Sequence, residues 1–319
     1  MIDSIVILNT ITGKELELNK SGNGKYVLNS IDWDSPTVEQ ETYRVPFQIG
    51  KTLEGITVGT RKLSIVGYVI ADTKGMNPVG NTWEEYLSEQ KEQINDNKIE
   101  LDRIISIYQD VIIKAGEYTL KARPTQPPKY STEESENSEV YCLFTLEFEC
   151  YNPLFAKETK MVQFAHTDAK LTFPLVLTED KTDEYVVFGD IAKRTSVPME
   201  NTGDIEVGAK ITIKAVGGDV INPAIYNIQT NEKISFYGLT ILDGDSIIIN
   251  TETGEEDIIL HHSGTGEEES IIGLLSLEST LFKVLRGQSY YSYEVDEQSK
   301  NNVEVFVEYT ERFFNVRGM

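Results

Sequence analysis

Histidine, cysteine, basic residues and long apolar runs are all scarce in this sequence, and each scarcity removes a class of function. The three histidines are His166, His261 and His262. Two adjacent residues of a strand point to opposite faces, so His261 and His262 cannot chelate one metal without distortion, and a four-ligand zinc site is not expected. Only two cysteines are present, Cys142 and Cys150. In one unbroken strand, at about 3.3 Å per residue, they stand too far apart for a disulfide and read as buried free thiols. Neither has a neighbouring histidine or a helix-start context that would activate a thiolate. Lysine and arginine number 29 against 52 aspartates and glutamates, a formal net charge of −23. Such a surface repels phosphate, which excludes tight nucleic-acid binding by counterion release.

No stretch approaches the roughly 18 consecutive apolar residues of a membrane span. The start, Met1-Ile2-Asp3-Ser4, lacks the basic and apolar regions of a signal peptide. The chain is therefore expected to be made and assembled in a cytoplasm. Gly-x-Ser-x-Gly does not occur. The phosphate-loop lookalikes Gly13-Lys14 and Gly22-Asn23-Gly24-Lys25 lack the earlier glycine and the Ser or Thr after lysine, so they read as turns. Asp243-Gly244-Asp245 begins like a calcium loop but has no glutamate at the twelfth position, and reads as a hairpin tip. Carboxylate pairs carry no information in a chain this acidic. No catalytic, metal or cofactor site emerges, and the chain is expected not to be an enzyme.

What is present is β-structure. A length of 319 residues argues for two domains, and an apolar share of 39% is that of a chain that folds. Short β-branched and aromatic runs separated by turn signals begin at Ser4–Leu8, Lys25–Leu28 and Arg61–Ile70. Leu16 and Leu18 alternate with glutamates after the turn Thr12-Gly13-Lys14, as in a half-buried partner strand. One segment differs: Trp83, Leu87, Gln90, Ile94, Asn97, Leu101, Ile104 and Tyr108 recur at steps of three and four. Thr82 and Glu85 form a capping box, and a helix from about Thr82 to Tyr108 follows, weakest at Asn95-Asp96-Asn97, where two short helices are also possible. It is expected to pack across a sheet. Strands then return at Asp110–Ile113, Glu117–Lys121 and Val140–Tyr151, the last stopped by Asn152-Pro153. The first domain is placed at residues 1–157. In 158–319 no long helix pattern appears, and strands at Lys210–Val216, Ala224–Asn227, Lys233–Tyr237, Ser246–Asn250, Tyr291–Val295 and Val303–Tyr309 read as a β-sandwich. The fold class is mainly β with one α-helical segment.

In their order and wording these segments resemble the distal tail proteins of long-tailed, siphovirus-type bacteriophages. The first domain has a Gly-containing apolar strand, Thr60-Arg61-Lys62-Leu63-Ser64-Ile65-Val66-Gly67-Tyr68-Val69, then an acidic amphipathic helix. Glu117-Tyr118-Thr119-Leu120-Lys121-Ala122-Arg123-Pro124 follows, and the domain closes on Tyr151-Asn152-Pro153-Leu154-Phe155, with Asn152 where that family has aspartate. The second is similar at Asn201-Thr202-Gly203-Asp204, Ile221-Asn222-Pro223-Ala224-Ile225, Asp243-Gly244-Asp245, Ile249-Asn250-Thr251-Glu252-Thr253-Gly254 and Val303-Glu304-Val305-Phe306-Val307-Glu308-Tyr309. It departs at Arg286-Gly287-Gln288-Ser289, where the family more often has Pro-Gly-x-Asn.

The resemblance implies a structural hub at the distal end of a virion tail, joining the tail tube to the tip or baseplate. It implies a tail-tube-like β-barrel or sandwich domain that builds a homo-hexameric ring, and a galectin-like or carbohydrate-module-like sandwich outside it. Implied partners are copies of the chain, the tail tube protein, the tail tip or tail-associated hub protein, and receptor-binding or baseplate proteins. DNA would pass through without specific binding, because acidic residues on a lumen release no counterions to it. A second reading makes the outer domain a carbohydrate-binding adhesion module, with Tyr290, Tyr291 and Tyr293 as an aromatic platform. A third, hydrolysis of cell-wall polymer, requires acid and base residues clustered in a cleft.

Overall fold

The computed structural model describes residues 3–22, 24–71, 83–133, 135–169, 189–193 and 196–316, with backbone alone at 165–169 and 189–193. The chain divides into two units, Met1–Lys157 with Phe313–Met319, and Glu158–Arg312. Strand is the dominant element in both, and α1 (Trp83–Ile104) is the one α-helix among the described residues.

The first unit runs β1 (Ser4–Asn9), β2 (Glu15–Asn19), β3 (Tyr26–Trp33), β4 (Val38–Tyr43), β5 (Thr52–Val58) and β6 (Arg61–Ile70). After α1 come β7 (Val111–Ala115), β8 (Tyr118–Pro124), the short β9 (Lys129–Tyr130), β10 (Tyr141–Cys150) and the start of β11 (Phe155–Ala169). Seven of these close on themselves in the order β8-β7-β1-β2-β3-β6-β10, because β10 pairs back onto β8 through Phe148 with Pro124 and Glu149 with Arg123. Closure removes the sheet edges that would otherwise invite unspecific pairing.

Alternation builds the barrel core. Leu63, Ile65 and Val69 of β6 and Phe144, Leu146 and Phe148 of β10 point inward, as do Ile5, Ile7, Leu16 and Leu18 of the first hairpin. Each such side chain is worth about 1.5–3 kcal/mol of burial. Gly67 sits inside this pattern for a steric reason: a Cβ there would lie 2.8 Å from the Val27 carbonyl and 2.7 Å from the Phe144 ring. Cys142 and Cys150 are both buried and free on the one strand β10.

The helix supplies Ile94, Leu101 and Ile104 to the same core, along with the buried polar residues Gln90 and Asn97. It does not split at Asn95-Asp96-Asn97: Asn97 Nδ2 donates to the Ile70 carbonyl at 3.1 Å, and its own carbonyl accepts from Tyr26 Oη at 2.9 Å. Thr82 lies outside the described residues. The stripe is shorter than its periodicity suggests, since Trp83 and Tyr108 at its ends are 71% and 83% exposed. The C-terminal end also differs from expectation, with α1 stopping at Ile104 rather than Tyr108. Asn9 Nδ2 takes the Ile104 carbonyl at 2.8 Å, and a turn closed by Gln109 N–H on the Ser106 carbonyl redirects the chain.

The second unit continues β11 and adds β12 (Gly189–Lys193), β13 (Val197–Asn201), β14 (Ala209–Ala215), β15 (Val220–Ile221), β16 (Ala224–Asn227), β17 (Lys233–Ser235) and β18 (Thr240–Ile241). It ends with β19 (Ser246–Asn250), β20 (Asp257–His261), β21 (Glu268–Ser270), β22 (Gly287–Glu294) and β23 (Val303–Phe313). One sheet is ordered β21-β20-β19-β14-β23-β11, and a second is β13-β22-β16-β17. Ile211, Ile213, Ile247, Ile249, Val305 and Val307 of the first meet Val197, Met199, Ile225, Ile234 and Tyr291 of the second in one core, which makes a β-sandwich. Near one end Glu311, 2% exposed, accepts from Lys160 Nζ at 2.7 Å and from Thr202 Oγ1 at 3.0 Å.

Candidate assembly surfaces

The residues that suggested small chemistry do not converge. His262 Nδ1 lies 2.8 Å from Asp245 Oδ2, and the other Asp245 oxygen accepts from the Ser263 N–H at 2.9 Å. Burial opposes ionisation of Asp245, but the Ser263 N–H and the His262 ring outweigh it and hold the carboxyl below the usual aspartate range. The serine therefore touches the carboxylate and not the imidazole, the reverse of a nucleophile's arrangement. The side chain of His166 lies outside the described residues. Asp243-Gly244-Asp245 is a turn but not a hairpin tip: β18 before it pairs with β15, whereas β19 after it pairs with β14 and β20. Gly13, Gly22 and Gly24 have positive φ of 66°, 73° and 121°, as turn glycines do. The tyrosine cluster splits as well. Tyr291 is fully buried with its hydroxyl donating to the Lys283 carbonyl at 3.1 Å, Tyr293 is half-buried, and Tyr290 stands at the surface.

A different feature of the first unit stands apart from the barrel sheet among the described residues. Among the described residues β4 and β5 pair only with each other, forming a two-stranded arm between β3 and β6 in the chain. Its register is Val38 with Val58, Gln40 with Ile56 and, after a bulge, Thr42 with Leu53. Val38, Ile56, Val58 and Leu53 thus share one face, while Glu39, Glu41, Thr57 and Tyr43 occupy the other. The apolar face is open: Val38 is 54%, Ile56 57% and Leu53 50% exposed. A lone two-stranded ribbon is marginal in water, and an uncovered apolar face adds to that cost.

The arm's tip is shaped rather than loose. Gln48 N–H closes a turn on the Val45 carbonyl at 3.1 Å, and the Gln48 side chain bonds the Val45 N–H at 3.1 Å and Thr52 Oγ1 at 2.7 Å. Pro46 and Phe47 are the central residues, and Phe47 adopts φ 69°, a conformation that such turns usually give to glycine. The turn holds Phe47 and Ile49 fully in solvent, flanked by exposed Arg44 and Lys51. Sequence reading passed over the arm. The β-branched run Thr52–Val58 was its available signal, but the bulge beside Glu54 breaks the alternation.

On the barrel wall, Asp32, Asp34, Lys62, Ser64, Thr125, Glu147 and Glu149 line an open groove of about 510 Å³. Asp32 and Glu147 flank Ser64 in register across β3, β6 and β10. None of the four carboxylates forms an ion pair among the described residues.

The whole chain can be set beside the crystal structure of the SPP1 Dit protein, named in that work a paradigm of the hub adsorption apparatus in phages infecting Gram-positive hosts. The TM-score is 0.59 at 12% identity, with 97% of this chain and 99% of that one covered. The chain has a Dit-like fold. A chain of the phage P2 baseplate in its activated conformation with calcium gives 0.44 at 11% identity over 99% and 100% of the two chains. The strontium form of that baseplate gives 0.45 at 10% identity over 98% and 99%. No protein-family model and no curated protein matches the chain. The Dit-like fold thus rests on the path of the backbone, since 12% identity leaves few shared side chains.

Proposed function

We propose that the chain is a structural, non-enzymatic distal tail protein of a long-tailed phage or tail-like particle, a ring-forming hub between tail tube and tail tip. The observation that carries this reading is the arm of β4 and β5, an amphipathic ribbon whose apolar face and aromatic tip stand uncovered among the described residues. A protein that functions alone gains nothing from such a ribbon, whereas a ring subunit covers it with its neighbour. The Dit-like fold supports the same reading. The ring is expected to be hexameric, with the first unit as its wall and the sandwich outside it. Tube, tip and receptor-binding or baseplate proteins are the expected partners.

Native mass spectrometry of the purified full chain tests the reading. A closed oligomer of defined stoichiometry supports it; turnover of peptidoglycan or polysaccharide by the same sample contradicts the structural role.

A further inference from the structure

Resting on the ring-forming reading, we infer that the basic, aromatic tip of the arm docks into the acidic groove on the barrel wall of a second copy. The inference specifies which two surfaces meet, and it stands on three observations.

The first is charge. Copies carrying a net charge of −23 repel one another, so contact between them needs local attraction. Arg44 and Lys51 at the tip form no ion pair among the described residues, and neither do Asp32, Asp34, Glu147 and Glu149 of the groove, although the buried Arg61 lies close enough to attract Asp34. Lys62 in the lining and the buried Arg61 beside Asp34 offset part of the groove's negative charge. Opposed surfaces of this kind set partner and register more than raw affinity.

The second is shape. The groove's volume of about 510 Å³ falls in the range of about 300–1,000 Å³ typical of sites that enclose a ligand. Phe47 and Ile49, both fully exposed, flank Gln48 in a turn that its side chain holds in place. Presenting Phe47 at φ 69° costs the free arm conformational strain that a bound aromatic anchor recovers.

The third is reach. Asp34 and Lys62 of the groove stand beside the arm's own root, where β3 ends and β6 begins. The tip lies one strand length away, about 20 Å at about 3.3 Å per residue. An extended arm cannot fold into its own groove, so the occupant is a second copy of the chain. Tip and groove are different surfaces, which makes the contact head-to-tail, the kind that closes into a ring when its rotation permits.

Sedimentation velocity of the full chain and three variants tests the pairing. R44E/K51E and D32K/E147K each reverse two exposed charges, and thermal melts serve as the check that both variants fold. Each is expected to weaken self-association at least about tenfold, and the variant carrying all four changes to recover most of it. Weakening without recovery overturns the inference, because the two surfaces then do not meet each other. Unchanged association in both variants overturns it too, while leaving a ring built by other contacts. As a second readout, an I49C copy, which keeps Gln48 and the turn, mixed with a differently tagged T125C copy is expected to form a cross-chain disulfide. A wild type that stays monomeric at every concentration, together with no such disulfide, contradicts tip-to-groove docking; the hub reading is then judged separately on particle images.

Discussion

The guanidinium carbon of Arg61 lies 4.7 Å from the centroid of the Phe155 ring, inside the first unit, where Arg61 itself is fully buried. Its three nitrogens each donate to a main-chain carbonyl: Nε to Pro153 at 2.8 Å, Nη1 to Asp34 at 2.8 Å and Nη2 to Phe314. One side chain thus ties the arm's root, the end of the barrel and the returning C-terminal segment. Replacing it with methionine fills the space but strands three part-buried carbonyls. We expect Arg61→Met to cost about 3 kcal/mol or more in chemical denaturation. Arg61→Lys is expected to lose nearly as much, because an ammonium cannot reproduce the planar fork. A loss below about 1 kcal/mol would show that water replaces the guanidinium without penalty.

Glu311 governs part of the acid response. Burial raises its pKa, but hydrogen bonds from Lys160 and Thr202 prevail and hold it below the ordinary glutamate value. A carboxyl depressed on folding contributes stability that is complete above its unfolded pKa of about 4.3 and is lost as pH falls through the folded value. Glu311→Gln should therefore lower Tm at pH 7, and the gap between variant and wild type should shrink as pH is taken from about 5 to 3. A gap that stays constant across that window would remove Glu311 from the acid transition.

Phe47→Gly separates folding from assembly. Glycine accepts the φ of 69° freely, so the isolated chain should be as stable as wild type or more so, by up to about 1 kcal/mol. Self-association should weaken at the same time, since the exposed ring is removed. A variant that associates as wild type does would show the tip to be a bystander.

The two thiols should be silent in the native protein. Cys142 and Cys150 are buried, and burial pushes the Cys150 thiol up to about 12, above the ordinary cysteine value, despite the nearby Arg61 charge. A thiol reagent at pH 8 is expected to label neither until denaturant is added, after which both react. Labelling of Cys150 under native conditions would mean that the end of β10 opens readily.

Much of the fold was legible where local pattern and tertiary role agree. Strand β6 spans Arg61–Ile70, the same ten residues that alternation marks out, and Ser246–Asn250 and Ala224–Asn227 likewise coincide. Where long-range partners decide, the pattern fell short. The end of α1 depends on Asn9, which is 95 positions from Ile104, and Asn97 is tolerated in the helix stripe because Ile70 and Tyr26 satisfy it. Tyr290, Tyr291 and Tyr293 looked alike in sequence, yet only Tyr291 has a hydroxyl held by Ser289, Lys283 and Leu285 inside the sandwich. The arm was the hardest element to read, because the bulge beside Glu54 interrupts its alternation and its apolar face is exposed among the described residues, so no core of its own marks it.

Averaged electron-microscope images of tails containing this polypeptide test the central claim most directly. A closed ring of copies is expected at the junction between tube and tip, with each β4–β5 arm lying against the barrel of the adjacent copy. Copies located elsewhere in the particle, or a ring whose arms stand uncovered, would contradict it.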